Sequence, residues 1–153
     1  MEGRESKESN NLFFVCSLIE YIARKTKNHR SVVVNAIGKN KLQHIYDLAD
    51  IYHSENIDKL TDELIQFAAI KQGDFDNIAT AKYSIPTHWD IGKVYKRLIL
   101  SVVSHRNTTD TIAVLLELYC SWISRKLEDL NSSLYYETPE YIFQSFLAGE
   151  LLE

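Results

Sequence analysis

The side chains with the greatest chemical capacity are concentrated in the stretch YSIPTHWDIGKVYKRLIL, residues 83–100. It brings an imidazole, a carboxylate and a guanidinium close together in the chain, those of His88, Asp90 and Arg97. Such groups can transfer protons and bind anions. One hypothesis is therefore a small-molecule-binding or hydrolytic enzyme, in which these three side chains converge with Arg125 in a concave pocket.

The same stretch also has the pattern of an ordinary helix start. Thr87 follows a proline and precedes Asp90 by three positions, the spacing of a capping box. The residues that follow predict an amphipathic helix, with Trp89 packed near its start and with Lys96 and Arg97 on the solvent side. A solvated helix face explains these charges more readily than a catalytic pocket does.

Patterns typical of metal sites and of nucleophilic catalysis are lacking in the sequence. The five histidines occur singly, in no spacing that would place two ligands on one helical face. Cys16 and Cys120 fall on predicted apolar faces, so we expect both to be buried and reduced. No glycine-rich loop frames a nucleophile or a phosphate. The sequence thus predicts no metal, no cofactor and no enzymatic activity.

Composition is typical of a folded domain and restricts the class of partner. The chain has 153 residues, of which 45% are hydrophobic and 25% charged, with a formal net charge of −4. A chain of this size can form one core. The polar opening and the lack of a long apolar run predict a cytoplasmic protein that does not enter a membrane. The negative charge gives no bulk attraction to phosphate backbones, so nucleic acid is not the expected partner.

A nucleic-acid-associated regulator remains as a second alternative. It would require one contiguous basic face around the first two helices, and its binding would depend strongly on salt concentration. The residues of this face would be Lys25, Lys27, Arg30, Lys39 and Lys41.

Hydrophobic periodicity predicts an all-α protein, a single compact orthogonal bundle of about seven helices formed by residues 1–153. Two helical subregions, 9–72 and 86–150, are joined by an irregular connection. The segment NTTDTIAVLLELYCSWISRKLEDLN, residues 107–131, predicts the longest helix, with a threonine cap and with Leu116 and Trp122 in the core.

Residues that favour helix ends mark several of the predicted boundaries. A tight corner at HSEN precedes the fourth predicted helix, where Ser54 or Asn56 can cap the first turn and Gly73 is expected to end the helix. The last helix is expected to begin at Thr138 as the cap, with Pro139 in the first helical position.

Two segments of the first half, FFVCSLIEYIARK and DIYHSENIDKLTDELI, contain an apolar helix with a Glu-Tyr pair and an Asp-x-x-His-Ser motif. On these motifs, residues 12–66 resemble a family of short, functionally uncharacterised helical bacterial proteins. The matching positions are Glu20, Tyr21, Asp50, His53 and Ser54.

The resemblance implies a role in binding another protein. Members of that family are often encoded beside proteins that resemble ADP-ribosyltransferase toxins. By analogy, the chain would be the neutralising or accessory partner of a toxin-like enzyme encoded nearby. The second half of the chain has no counterpart in the short members of the family.

The segment LNSSLYYETPEYIFQSF carries more aromatic residues than one helix face can bury. Exposed aromatic side chains beside an arginine are typical of interface centres. We therefore predict a non-enzymatic protein-interaction surface, whose partner is another protein or, alternatively, a second copy of the chain. Its residues are Arg125, Tyr135, Tyr136 and Tyr141.

Overall fold

A computed structural model of the protein describes residues 6–52 and 54–153. All regular elements of these residues are helical, which confirms the all-α prediction. The described residues form nine α-helices and one 3₁₀ helix, where about seven helices were expected. The α-helices are α1 (Lys7–Thr26), α2 (Arg30–Ile37), α3 (Lys39–Asp47), α4 (Ala49–Tyr52), α5 (Ile57–Phe67), α6 (His88–Arg106), α7 (Thr111–Tyr119), α8 (Trp122–Leu127) and α9 (Pro139–Ala148), and the 3₁₀ helix spans Leu134–Tyr136.

The additional helices arise because two predicted helices are each divided by a break. The apolar spacing of Leu42, Ile45, Leu48, Ala49 and Tyr52 predicts one helix, which divides at Leu48 into α3 and α4. The helix predicted within 107–131 divides into α7 and α8, because Ser121 adopts an extended backbone with φ −91° and ψ 170°. The Ser121 hydroxyl donates to the Leu118 carbonyl at 2.7 Å, and the Ser121 amide donates to the same carbonyl at 3.1 Å, so both bonds hold the end of α7.

The break changes which side chains reach the core. Leu115 and Leu118 are fully buried, whereas Leu116 and Trp122 are only partly buried, so the predicted core face was wrong at these two positions. A stripe extrapolated through the break does not follow the new direction of the chain. Cys120 lies at the break and is exposed, contrary to the prediction.

The other cysteine, Cys16, is buried as predicted, and both cysteines are free thiols. Burial raises the pKa of the Cys16 thiol to about 12, so this side chain stays protonated at neutral pH.

The two longest helices, α1 and α6, pack against each other and bring the two subregions into contact. Gly92 of α6 lies directly against Ser17 of α1. The core continues beside this contact with the rings of Tyr95 and Tyr119, which stack with their centroids 4.1 Å apart. The Tyr95 hydroxyl and the Ser124 hydroxyl share a hydrogen bond of 2.7 Å, so the buried phenol has a polar partner.

The packing of α6 on α1 corrects two predictions for α6. Lys96 is only 3% exposed, although we expected it on the solvent side. It follows Gly92 by four residues, so both lie on the face that approaches α1, and its ammonium lies 5.9 Å from the centroid of the Phe13 ring. Trp89 is 40% exposed instead of packed, because it lies at the helix end, with its ring 5.6 Å from that of Phe13.

The start of α5 agrees with the prediction, but the helix ends earlier than predicted. Asn56 caps the helix by accepting from the amides of its first turn. The helix ends at Phe67, where Ala69 takes a left-handed conformation with φ 52°, well before the predicted stop at Gly73. Gly73 instead donates to the Thr26 carbonyl at 2.8 Å, so the irregular connection lies across the end of α1.

The capping box at the start of α6 is confirmed. Thr87 Oγ1 accepts from the Asp90 amide at 3.0 Å, and Asp90 Oδ2 accepts from the Thr87 amide at 2.8 Å. Replacing Thr87 with alanine is expected to lower the free energy of unfolding by about 0.5–2 kcal/mol, because the Asp90 amide loses its acceptor. Urea unfolding measures this loss. Thr87→Ser should retain most of the stability, and an unchanged midpoint in Thr87→Ala would contradict the role of the cap.

Candidate functional site

A groove between α6, the 3₁₀ helix and α9 carries the most exposed aromatic ring of the protein's described residues. Its volume is about 340 Å³, and we call it the aromatic groove. Tyr136 is 69% exposed there, while Tyr135 is half-buried and meets the Tyr136 ring edge-on at 4.8 Å. The residues that line it are Val94, Arg97, Leu98, Tyr135, Tyr136, Glu137, Thr138, Pro139 and Ile142.

Local backbone chemistry fixes the two tyrosines in this position. Thr138 Oγ1 accepts from the Tyr141 amide at 3.2 Å, and Pro139 occupies the first helical position, as predicted. This cap ends the 3₁₀ helix and starts α9 within a few residues. The Leu134 side chain is buried, which anchors the 3₁₀ helix and leaves the Tyr136 ring on the outside.

Arg97 supplies the positive charge of the aromatic groove. It is exposed on α6, and none of the described residues forms an ion pair or a hydrogen bond with its guanidinium. An arginine beside tyrosine rings is the combination most often found at energetically dominant interface positions. We had assigned Arg97 to the alternative enzyme pocket, and no spacing in the sequence indicates that it lies beside Tyr135 and Tyr136.

The other two residues of the predicted interaction surface lie elsewhere. Tyr141 is half-buried, and its hydroxyl donates to the Leu152 carbonyl. Arg125 lines a different cavity together with His29 and Phe75. The structure therefore brings together Tyr135 and Tyr136 and places Arg97 beside them.

The predicted enzyme pocket is not formed, because its residues point to different parts of the surface. Arg97 follows His88 by nine positions on α6, and at about 3.6 residues per turn this places the two residues on opposite faces of the helix. The Asp90 carboxylate is engaged in the capping box. His88, Arg97 and Arg125 each line a different cavity.

The five basic residues of the nucleic-acid alternative do not form a contiguous free face. The ammonium groups of Lys25, Lys27 and Lys39 lie 2.8, 3.9 and 2.8 Å from aspartate carboxylates. The Lys41 ammonium lies 4.9 Å from the centroid of an aromatic ring. Arg30 is buried and cannot reach a phosphate backbone.

Arg30 belongs instead to a network of charged side chains in the interior, which we call the buried charge network. Glu20, Arg30 and Glu128 are 2%, 1% and 3% exposed. The two carboxylate oxygens of Glu20 accept from Nε and Nη2 of Arg30, with the Nε distance at 2.8 Å. The Arg30 backbone amide donates to Glu128 Oε2 at 2.7 Å, and His29 Nδ1 lies 2.8 Å from Glu128 Oε1.

Two arginines balance the two carboxylates of this network, because Arg24 Nε also donates to Glu20 at 2.8 Å. Burial alone would raise the pKa of Glu20, but attraction by Arg30 and by Arg24 outweighs burial and holds that pKa below its ordinary value. Burial also opposes the charge of Arg30, and Glu20 outweighs it, so the pKa of Arg30 is raised. The sequence gives one sign of this network: Glu20 follows Cys16 by four residues, which places a carboxylate on the buried face of α1.

The positions that carry the family resemblance have structural roles where they are described. Glu20 lies in the buried charge network, and the Tyr21 hydroxyl donates to Asp58. Asp50 forms an exposed ion pair of 3.0 Å with Lys7, and the Ser54 hydroxyl donates to the carbonyl of Ile51 at 2.8 Å. His53 lies outside the described residues.

Comparisons with known proteins identify no similar protein. No protein-family model, curated protein or solved structure matches the chain. None of the helices in the described ranges combines the length and apolar character that crossing a bilayer requires. Within residues 6–52 and 54–153, no three histidine, cysteine, aspartate or glutamate side chains are arranged to hold a metal ion.

Proposed function

We propose that the protein is a non-enzymatic interaction module that binds another protein through the aromatic groove. The observation that carries this proposal is the exposed ring of Tyr136 beside the guanidinium of Arg97, which has no ion-pair or hydrogen-bond partner among the described residues. A ring of this size gains free energy when a partner removes it from water. An arginine in the same groove adds directional hydrogen bonds, which determine how the partner is oriented.

The charges of the groove favour a partner segment with one carboxylate beside an apolar or aromatic side chain. The carboxylate would pair with Arg97, and the apolar side chain would pack on Tyr135 and Tyr136. Glu137 also lines the groove and accepts from the Ser133 hydroxyl at 3.3 Å. Its negative charge disfavours a segment with several adjacent acidic residues.

The resemblance of residues 12–66 supports a candidate for this partner. It implies a bacterial protein that neutralises or assists a toxin-like enzyme encoded by a neighbouring gene. In this proposal the chain acts in the cytoplasm as one compact bundle, and the contact between α1 and α6 supports the compact arrangement.

Replacing Tyr136 with alanine is expected to weaken the complex by about 2 kcal/mol or more, because truncation removes the largest desolvated side chain of the groove. Calorimetry against the product of the adjacent gene measures the loss. The matched control is Tyr83→Ala, since Tyr83 is 68% exposed but does not line the groove. Circular dichroism should show an unchanged helical spectrum in both variants.

Three outcomes would overturn this proposal. Full affinity in Tyr136→Ala would reject the aromatic groove as the interface. An equal loss in Tyr83→Ala would show that the effect is not local to the groove. If the wild-type protein forms no complex with the product of any adjacent gene, the proposed partner is wrong.

A further inference from the structure

A second cavity, of about 530 Å³, opens where α1, α5 and the start of α6 meet. This volume lies within the range of small-molecule sites, about 300–1,000 Å³. The cavity is distinct from the aromatic groove, because His88 lines it from the face of α6 opposite to Arg97. The lining residues that matter below are Tyr21, Arg24, Asp58, Asp76, Ile78 and His88.

Arg24 brings a guanidinium to this cavity. Its Nε donates to Glu20 at 2.8 Å, which fixes the orientation of the guanidinium. Arg30 binds both carboxylate oxygens of the same residue, so the two arginines share Glu20. Nη2 of Arg24 is buried and has no hydrogen-bond partner among the described residues. A buried donor without a partner is destabilising, and more so when the donor is charged.

His88 presents a second buried atom without a partner in the described part of the chain, its Nε2. The ring is held between those of Tyr21 and Trp89, with centroid distances of 4.8 and 4.7 Å. Burial, together with the positive charge of Arg24, lowers the pKa of His88, so the imidazole is neutral at pH 7. A neutral imidazole can donate from Nε2 when its other nitrogen is unprotonated.

Asp58 supplies the opposite charge. It accepts from the Tyr21 hydroxyl, and no lysine, arginine or histidine among the described residues lies within ion-pair distance of it. The nearby lysines have other partners, since Lys25 pairs with Asp62 at 2.8 Å and Lys27 lies 3.9 Å from Asp76. The cavity thus combines two buried donors that have no partner among the described residues with one carboxylate, that of Asp58, which has no ion pair among them.

From this arrangement we infer that the cavity binds a small zwitterion with the chemistry of a free α-amino acid. Its carboxylate accepts from Arg24 Nη2 and from His88 Nε2, and its ammonium group donates to Asp58. Ile78 and the Tyr21 ring offer apolar surface to the side chain of the ligand. A phosphate dianion fits less well, because Asp58 and Asp76 would repel its second charge.

This inference does not rest on the proposed protein-binding function. It is tested by calorimetry on the full chain, with the common L-α-amino acids as individual probes at millimolar concentration. Acetate, methylammonium and inorganic phosphate serve as partial probes. We expect at least one amino acid with an apolar side chain to bind, and each partial probe to bind at least about tenfold more weakly, because it makes only part of the contacts.

Variants test the cationic and the acidic side of the cavity separately. Arg24→Gln and Asp58→Asn should each weaken amino-acid binding by about tenfold or more. Arg24→Gln can destabilise the fold, because Glu20 loses a hydrogen bond from Arg24. Asp58 is exposed, so Asp58→Asn leaves the core intact and tests the cavity independently. Arg97→Gln is the control, and it should bind the amino acid as the wild type does.

The inference is wrong if no amino acid binds at millimolar concentration. It is also wrong if Asp58→Asn binds as tightly as the wild type, because the ammonium contact would then be absent. If acetate or phosphate binds as tightly as the amino acid, the cavity binds anions in general, and the inference of a zwitterionic ligand is wrong.

Discussion

Replacing Arg30 with methionine is expected to lower the free energy of unfolding by about 3–5 kcal/mol, the range for removing one partner of a buried ion pair. Methionine fills similar space but leaves the Glu20 carboxylate without its two main donors. Arg24 then provides the only cationic hydrogen bond to Glu20 among the described residues. Urea unfolding followed by circular dichroism measures the difference.

The control for this prediction is a second Arg–Glu pair that also has two hydrogen bonds but is much more exposed. Arg106 binds Glu117 through both terminal nitrogens, at 2.7 and 2.8 Å, and the two side chains are 41% and 49% exposed. Arg106→Met should cost less than about 1 kcal/mol, because water screens and replaces the interaction. Similar losses in the two variants would show that burial does not determine the effect.

The pH dependence of stability gives an independent check. The pKa of Glu20 is lowered in the folded protein, so the unfolded chain binds more protons in acid. The stabilisation by Glu20 is therefore fully present above its ordinary pKa of 4.5 and is lost as the pH falls through the lower, folded value. In Arg30→Met the pKa of Glu20 should rise, because burial is opposed by one guanidinium fewer. The difference in the free energy of unfolding between the wild type and Arg30→Met should therefore become smaller as the pH falls.

Local interactions account for the features of the fold that could be predicted. The caps at Thr87, Asn56 and Thr138 each depend on a side chain and on amides two or three residues further along. Such interactions are encoded in adjacent residues, so the sequence alone reveals them. Apolar periodicity predicts the α1 and α6 stripes for the same reason.

Contacts between distant residues could not be predicted in this way. Glu20 and Glu128 both bind Arg30, yet they belong to the first and second subregions. The break at Ser121 has no proline or glycine to mark it. Lys96 is buried because α6 crosses α1 at Gly92, and a lysine in a charged stretch gives no sign of that crossing.

The candidate site likewise combines a local feature that could be predicted with a long-range contact that could not. The aromatic excess near Tyr136 predicts that some rings remain exposed, since one helix face cannot cover them all. Which arginine lies beside those rings depends on how α6 packs against the 3₁₀ helix and α9. That packing places Arg97 in the groove, although Arg125 is closer to the tyrosines in the sequence.

Gly92→Ala is expected to lower the free energy of unfolding by about 3 kcal/mol, the upper part of the range for overpacking a core. A β-carbon at this position would lie 2.2 Å from Ser17 Oγ and 2.8 Å from both Cα and N of Ser17. Two of these atoms belong to the backbone, so α1 and α6 must separate to admit the methyl group. The sign of the change in the free energy of unfolding shows whether the position is hindered, because alanine in an unhindered helix would stabilise by about 1 kcal/mol relative to glycine.

A second substitution tests whether the contact with Ser17 causes the loss. Ser17→Ala alone should not lower stability, because it removes a buried hydroxyl that has no hydrogen-bond partner among the described residues. In the Gly92→Ala background it should restore part of the loss, since it removes the nearest atom and leaves the two backbone contacts. Urea unfolding of the four proteins of this cycle measures the coupling. A rise in stability in Gly92→Ala, or no coupling with Ser17, would contradict the close approach of α1 and α6 at this position.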